Sequence, residues 1–184
     1  MKTTKELILD ASIKVFSEKG YLSATTLEIS KVAGVSEMTL FRQFQTKNNL
    51  FLTSVKQAMG DSLMEEINLN VDDEISDFTM KLLHEKLNII STHITLIRML
   101  IRESLSNTLP EELEFTKVIY SQVVQKITYY IKHHDLTINP IFFAEMVVGL
   151  LLRYAVMEDN PAYHLWDKDQ QISYLESYWK IFNI

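Results

Sequence analysis

The stretch Thr25-Thr26-Leu27-Glu28-Ile29-Ser30-Lys31-Val32-Ala33-Gly34-Val35-Ser36-Glu37-Met38-Thr39-Leu40-Phe41-Arg42-Gln43-Phe44 decides the fold of this chain. Thr25 and Glu28 have the spacing of a capping box, in which each side chain satisfies the other's orphaned backbone N–H. Ile29, Val32 and Ala33 form a short apolar stripe behind it, and Gly34 supplies a stop. The helix so predicted is only about two turns long. Val35 is apolar in the turn, and Ser36 is a good cap for another short helix through Phe44. Leu40 and Phe44, four residues apart, share the inward face of that helix. Glu37, Met38, Thr39, Arg42 and Gln43 are left turned largely outward.

Two short helices joined by a glycine-containing turn predict a helix-turn-helix. The first helix braces across a nucleic-acid backbone. The second is small enough to lie in a major groove about 12 Å wide and meet base edges with its N-terminal residues. Arg, Gln, Thr and Ser on the outer face offer hydrogen-bonding groups of suitable reach. The same spacing also fits a small surface helix with an ordinary solvated face, and helix length by itself does not choose between them.

Working outward, Thr3-Thr4-Lys5-Glu6 repeats the capping-box pattern. Leu7, Ile8, Ala11, Val15 and Phe16 follow at helical spacing, and Lys19-Gly20 gives a cationic last turn with a left-handed stop. On the other side, Thr46-Lys47 opens a further helix carrying Phe51, Val55, Ala58, Met59 and Ile67 along one side.

The ordered set Ala11, Phe16, Gly20-Tyr21, Thr25 to Ser36, Thr39 to Phe44 and Lys47-Asn48-Asn49-Leu50 resembles the tetracycline-repressor (TetR) family. The likeness runs from about residue 3 to 55 without a gap, whereas the remainder resembles the family only in length and helical layout. It implies that Thr25 caps its helix at a backbone phosphate and that Lys47 anchors to phosphate. Ser36, Glu37, Met38, Thr39, Arg42 and Gln43 would be the groove-facing set, with Phe41 beside phosphate. Arginine reads guanine and glutamine reads adenine bidentately, each worth roughly 1–3 kcal/mol against a wrong base. Two departures lower the expected affinity: Phe41 lacks the hydroxyl of the family's usual tyrosine, and Leu27 replaces a residue that is often basic. Glu37 would repel phosphate unless it accepts from a cytosine amino group.

Charge supports this division of labour. The chain of 184 residues has a net charge of −6, yet residues 1–60 hold eight Lys or Arg against five Asp or Glu, a balance of +3. The remaining ten basic and nineteen acidic residues leave the body at −9. A basic head on an acidic body suits a DNA-contacting module on a non-contacting one. With no cysteine, disulfides, thiolate metal sites and cysteine nucleophiles are excluded. The opening Met1-Lys2-Thr3-Thr4-Lys5-Glu6 lacks the apolar core of a signal peptide, so a cytoplasmic location is expected.

In the body, Asn68–Val71 reads as a loop and Asp72-Asp73-Glu74 places acids at the start of a helix reaching about Ser91. A strongly apolar helix spans about 93–106, and Pro110 opens another that continues to His134. Its His133-His134 end with Asp135 admits a metal site, but adjacent histidines point about 100° apart on a helix, which favours plain helix-end cations. The segment from Pro140 to Met157 is apolar on nearly every side. It is too short and too charged, with Glu145 and Arg153, to span a membrane. It is therefore expected to bury one face in its own core and another against a second subunit. A last helix, about 168–182, carries Ile172, Leu175, Trp179 and Phe182.

The expected fold is all-α, with about nine helices: a three-helix DNA-binding domain over residues 1–46 and a ligand-binding and dimerisation domain over 47–184. The resemblance implies a homodimer formed through the last two long helices (about 140–158 and 168–182) and a small-molecule effector held in the body. Met99, Arg102, Phe115, Tyr120, Tyr129 and Tyr154 are candidates for lining that pocket, each equally suited to ordinary core. The partners expected are double-stranded operator DNA, a second copy and an unidentified effector, with no cofactor, metal or membrane. An all-helical enzyme using Glu145, Arg153 and the histidines is a rival class, but no phosphate loop, nucleophile elbow or metal-ligand spacing occurs. A helical interaction protein whose helix-turn-helix binds protein is another.

Overall fold

The computed structural model describes residues 2–59, 70, 72–106, 109, 115–157 and 162–180. Among these it contains nine α-helices and one 3-10 turn, with no strand. The chain divides into two compact units, Met1–Met64 with Thr95–Thr116, and Glu65–Ile94 with Lys117–Ile184.

The first unit is built from α1 (Thr4–Lys19), α2 (Thr26–Ala33), α3 (Glu37–Phe44), α4 (Lys47–Met59) and α6 (Ile94–Leu105). Both expected capping boxes form: Thr3 with Glu6 on α1, and Thr25 with Glu28 on α2. Ser36 caps α3 by accepting from the Thr39 N–H at 3.2 Å. Each such cap contributes about 1 kcal/mol to a helix too short to persist without tertiary support. That support is a core of Ile8, Val15, Phe16, Ile29, Leu40, Phe44, Leu50, Phe51 and Val55, all fully or nearly fully buried. Phe16 meets Phe51 edge-on at 4.7 Å between centroids, locking α1 onto α4.

Gly34 ends α2 in the left-handed conformation, φ 69° and ψ 30°, as its position predicts. Gly20 differs from the left-handed stop expected of it. Its φ of 81° is positive, but ψ is 168°, a region essentially restricted to glycine. A Cβ there would also collide with the Glu103 carboxylate of α6.

The second unit contains α5 (Ile75–Thr92), α7 (Phe115–His133), α8 (Pro140–Val156), the 3-10 turn Tyr163–Leu165 and α9 (Lys168–Trp179). Asn139 caps α8, its side-chain oxygen accepting from the N–H groups of Ile141 and Phe142. Pro140 follows at the first turn, where a missing N–H costs nothing. Phe78, Leu82, Leu83 and Leu87 of α5 pack with Val123, Ile127 and Ile131 of α7 and Phe143, Val147 and Leu151 of α8. Tyr163 is wholly buried and pins the 3-10 turn to this core. Its hydroxyl shares a 2.8 Å hydrogen bond with His84 Nδ1, and its N–H donates to the Tyr154 hydroxyl at 3.0 Å. Expectations for Ile67, the Asn68–Val71 loop as a whole, the Pro110 helix start and Phe182 fall outside the described residues, as does the Phe115 side chain.

Candidate nucleic-acid interface

The expected reading helix is α3, and its inward anchors set what it presents. Leu40 is 0% exposed and Phe44 1%, so the opposite side of this two-turn helix faces out. Met38 is 81% exposed, and Arg42, one turn further, is also exposed. Phe41 is exposed beside them, and Gln43 and Thr39 are half-buried at the edges. Ser36, at the tip, is exposed, and its hydroxyl shares a 2.9 Å hydrogen bond with the Thr39 hydroxyl. The structure thus gathers Ser36, Met38, Thr39, Phe41, Arg42 and Gln43 on one short helix and its cap.

Glu37 is only half-buried, but its carboxylate is occupied. The Thr26 hydroxyl donates to it at 2.6 Å, tying the first residue of α3 to the first residue of α2. The acid that the sequence placed on the reading face therefore has a bracing partner, Thr26, which spacing alone did not single out.

Thr25 is exposed at the start of α2, with its hydroxyl engaged by Glu28 in the capping box. Glu28 is held below the usual carboxylate range, first by the Lys19 ammonium and then by Thr25. The exposed N-terminal end of α2 offers partial positive charge of the kind that attracts phosphate. Lys47 begins α4 and is half-buried. Its ammonium donates to the Leu22 carbonyl at 3.2 Å and lies 4.7 Å from the centre of the Tyr21 ring. Burial lowers its pKa, and the Glu103 carboxylate pushes the other way. Lys47 therefore clamps the turn after α1, a role that its position in the sequence did not reveal. Lys31, near the end of α2, is an additional exposed cation.

Of the candidate effector residues, Met99 and Arg102 belong to the first unit, and Tyr120, Tyr129 and Tyr154 to the second. Met99 and Tyr154 are buried, while Tyr120 and Tyr129 are exposed. Among the described residues no group of three or more His, Asp or Glu side chains could hold a metal ion. None of the described helices is long and apolar enough to cross a membrane.

Comparison with known proteins agrees with this geometry. Residues 8–53 match the family model described as bacterial regulatory proteins, tetR family. The biofilm operon negative transcriptional regulator IcaR of Staphylococcus aureus is 34% identical over 121 residues, 65% of this chain and 61% of that protein. The chain spans 36% to 61% of the length of the curated relatives it matches. A tetR-family regulatory protein from Rhodococcus RHA1 superposes with a TM-score of 0.71 at 18% identity, covering 96% of this chain and 95% of that one. The regulator FadR of Bacillus subtilis, solved with stearoyl-CoA, gives 0.62 at 19% identity over 93% and 95%. The capped brace, the anchored probe and the family match lead to one conclusion: residues 8–53 form a domain of the kind found in the tetR family of bacterial regulatory proteins.

Proposed function

We propose that this protein is a homodimeric, DNA-binding transcriptional repressor, released from a near-palindromic operator by a small-molecule effector. The observation that carries the reading is α3 itself, with Leu40 and Phe44 buried and Ser36, Met38 and Arg42 presented beside the capped start of α2. Ser36, Glu37, Met38, Thr39, Arg42 and Gln43 form the groove-facing group, with Arg42 and Gln43 specifying bases and Glu37 bracing α3 against Thr26. Thr25, Phe41 and Lys47 contact or position the backbone. Phosphate contacts set register, and base-edge contacts set sequence.

Two copies place two probes in successive major grooves about 34–36 Å apart. Residues 1–46 serve DNA, and 47–184 serve dimerisation and sensing. The effector lowers operator affinity because it binds the non-DNA form better. Reversing a 99:1 occupancy takes about 5.5 kcal/mol of differential affinity. FadR's complex with stearoyl-CoA and IcaR's description as a negative regulator support, by family likeness, a ligand-responsive repressor. Such a protein works in the cytoplasm, where the operator is, and performs no catalysis.

The test is a gel shift with DNA upstream of the protein's own gene, between 50 and 200 mM salt. A complex that weakens by orders of magnitude over that range supports phosphate-mediated binding. The absence of any salt-sensitive complex would remove the repressor reading.

A further inference from the structure

Helix α8 displays its exposed residues in a pattern centred on one glycine. Ile141, Phe142, Glu145, Gly149, Leu152, Arg153 and Val156 are exposed, as is its C-cap Met157, and every other residue of the helix is buried or half-buried. At about 100° per residue, all eight lie within about 80° of the direction of Gly149. Ile141 and Met157 stand eight residues either side of that glycine, Phe142 and Val156 seven, and Glu145 and Arg153 four. The face is apolar but for these two charges, which are opposite in sign. The Glu145 carboxylate has no hydrogen bond or ion pair among the described residues, and the Arg153 guanidinium is steadied by donating to the Tyr178 hydroxyl of α9 at 3.3 Å.

Gly149 itself has no local reason to be glycine. It sits inside a regular helix, and a Cβ on it would meet nothing within 4 Å. Glycine there costs about 0.5–1 kcal/mol relative to alanine. Its benefit lies in letting another backbone come close.

From this symmetry we infer that α8 packs antiparallel on α8 of a second copy, with the twofold axis passing beside Gly149 and Glu145 paired with Arg153 of the partner subunit. The inference rests on the homodimer proposed above and specifies its register. A twofold axis brings residue 149 − n of one helix to residue 149 + n of the other. Phe142 then meets Val156 of the partner subunit, Ile141 meets Met157 of the partner subunit, and two identical ion pairs flank the crossing. A parallel arrangement would set Glu145 against itself and Arg153 against itself, which electrostatics disfavours. Side chains and backbones at a glycine crossing also approach more closely than the usual 8–10 Å between helix axes.

Charge reversal tests the register. By sedimentation velocity the natural chain should be a dimer at micromolar concentration. Glu145→Arg alone and Arg153→Glu alone should each raise the dimer dissociation constant about tenfold or more. An equimolar mixture of the two variants should recover dimers, because each ion pair in the mixed species is again of opposite sign. Helical circular dichroism checks folding, and the sites, being on the surface, leave the core intact. In a chain without cysteine, Gly149→Cys provides an independent measurement, since it should oxidise to a covalent dimer if the two positions approach within disulfide reach. A monomeric natural chain would overturn the homodimer itself. A dimeric natural chain that tolerates both reversals, or a mixture that stays dissociated, would overturn this register while leaving dimerisation intact.

Discussion

The Thr26 hydroxyl donates to the Glu37 carboxylate at 2.6 Å, across eleven residues of sequence. It joins the starts of α2 and α3, the two helices proposed to carry recognition, so the angle between them is held by a bond as well as by packing. Replacing Glu37 by alanine should lower stability by about 0.5–1.5 kcal/mol and weaken binding to all operator sequences together. A thermal melt combined with a gel-shift panel of single-base operator variants checks this. A changed base preference with unchanged stability would instead make Glu37 a reader of cytosine.

Arg42 and Lys47 should separate cleanly in the same panel. Arg42→Ala should relax preference at one operator position, costing roughly 1–3 kcal/mol there. Lys47→Ala should weaken every sequence alike and reduce the salt slope by about one. Because its ammonium also holds the Leu22 carbonyl and covers Tyr21, the Lys47 variant should also melt at a lower temperature.

Gly20→Ala should be among the most damaging substitutions in the first unit. The backbone conformation at φ 81° and ψ 168° costs about 1–3 kcal/mol for any other residue, and the new methyl meets Glu103. Adding Glu103→Ala should restore only the part due to collision. Urea denaturation of the two single variants and the double variant measures the split.

Lys86 of α5 is 5% exposed, and no described side chain makes an ion pair or hydrogen bond with its ammonium. Burial lowers its pKa, with Glu85 opposing and Lys126 reinforcing the shift. Lys86→Met keeps the volume and removes a desolvated charge, so it should raise stability at neutral pH by about 1–2 kcal/mol. The urea midpoint is the readout.

Alkaline stability follows from Tyr163. Its hydroxyl is pushed up to about 12, mainly by burial. The folded state therefore keeps a proton that the unfolded chain releases near pH 10. This contribution is intact below pH 10 and is lost as pH rises toward 12. Tyr163→Phe should flatten that part of the pH profile while lowering stability at neutral pH, since His84 loses its hydrogen-bond partner.

Local chemistry was legible in the sequence, and long-range chemistry was not. Thr3 with Glu6, Thr25 with Glu28, Ser36, Gly34 and the Leu40–Phe44 pair involve neighbours within four residues or a single backbone preference, and each behaves as its spacing predicts. Gly20 ends α1 where its position predicts, but its ψ of 168° and its closeness to Glu103, more than eighty residues further along, have no local signal. The Glu37 tie to Thr26, the Lys47 clamp on Leu22 and the symmetry of α8 depend on tertiary placement, which composition and periodicity do not encode.

The bare face of α8 also bears on how the protein must be made. A lone subunit carrying Phe142, Leu152 and Val156 in water is sticky toward any other greasy surface in a crowded cell. On the proposed dimer, newly folded chains would gain solubility by finding a twin quickly. Variants that block pairing would be recovered mainly in the insoluble fraction, a phenotype easily mistaken for misfolding.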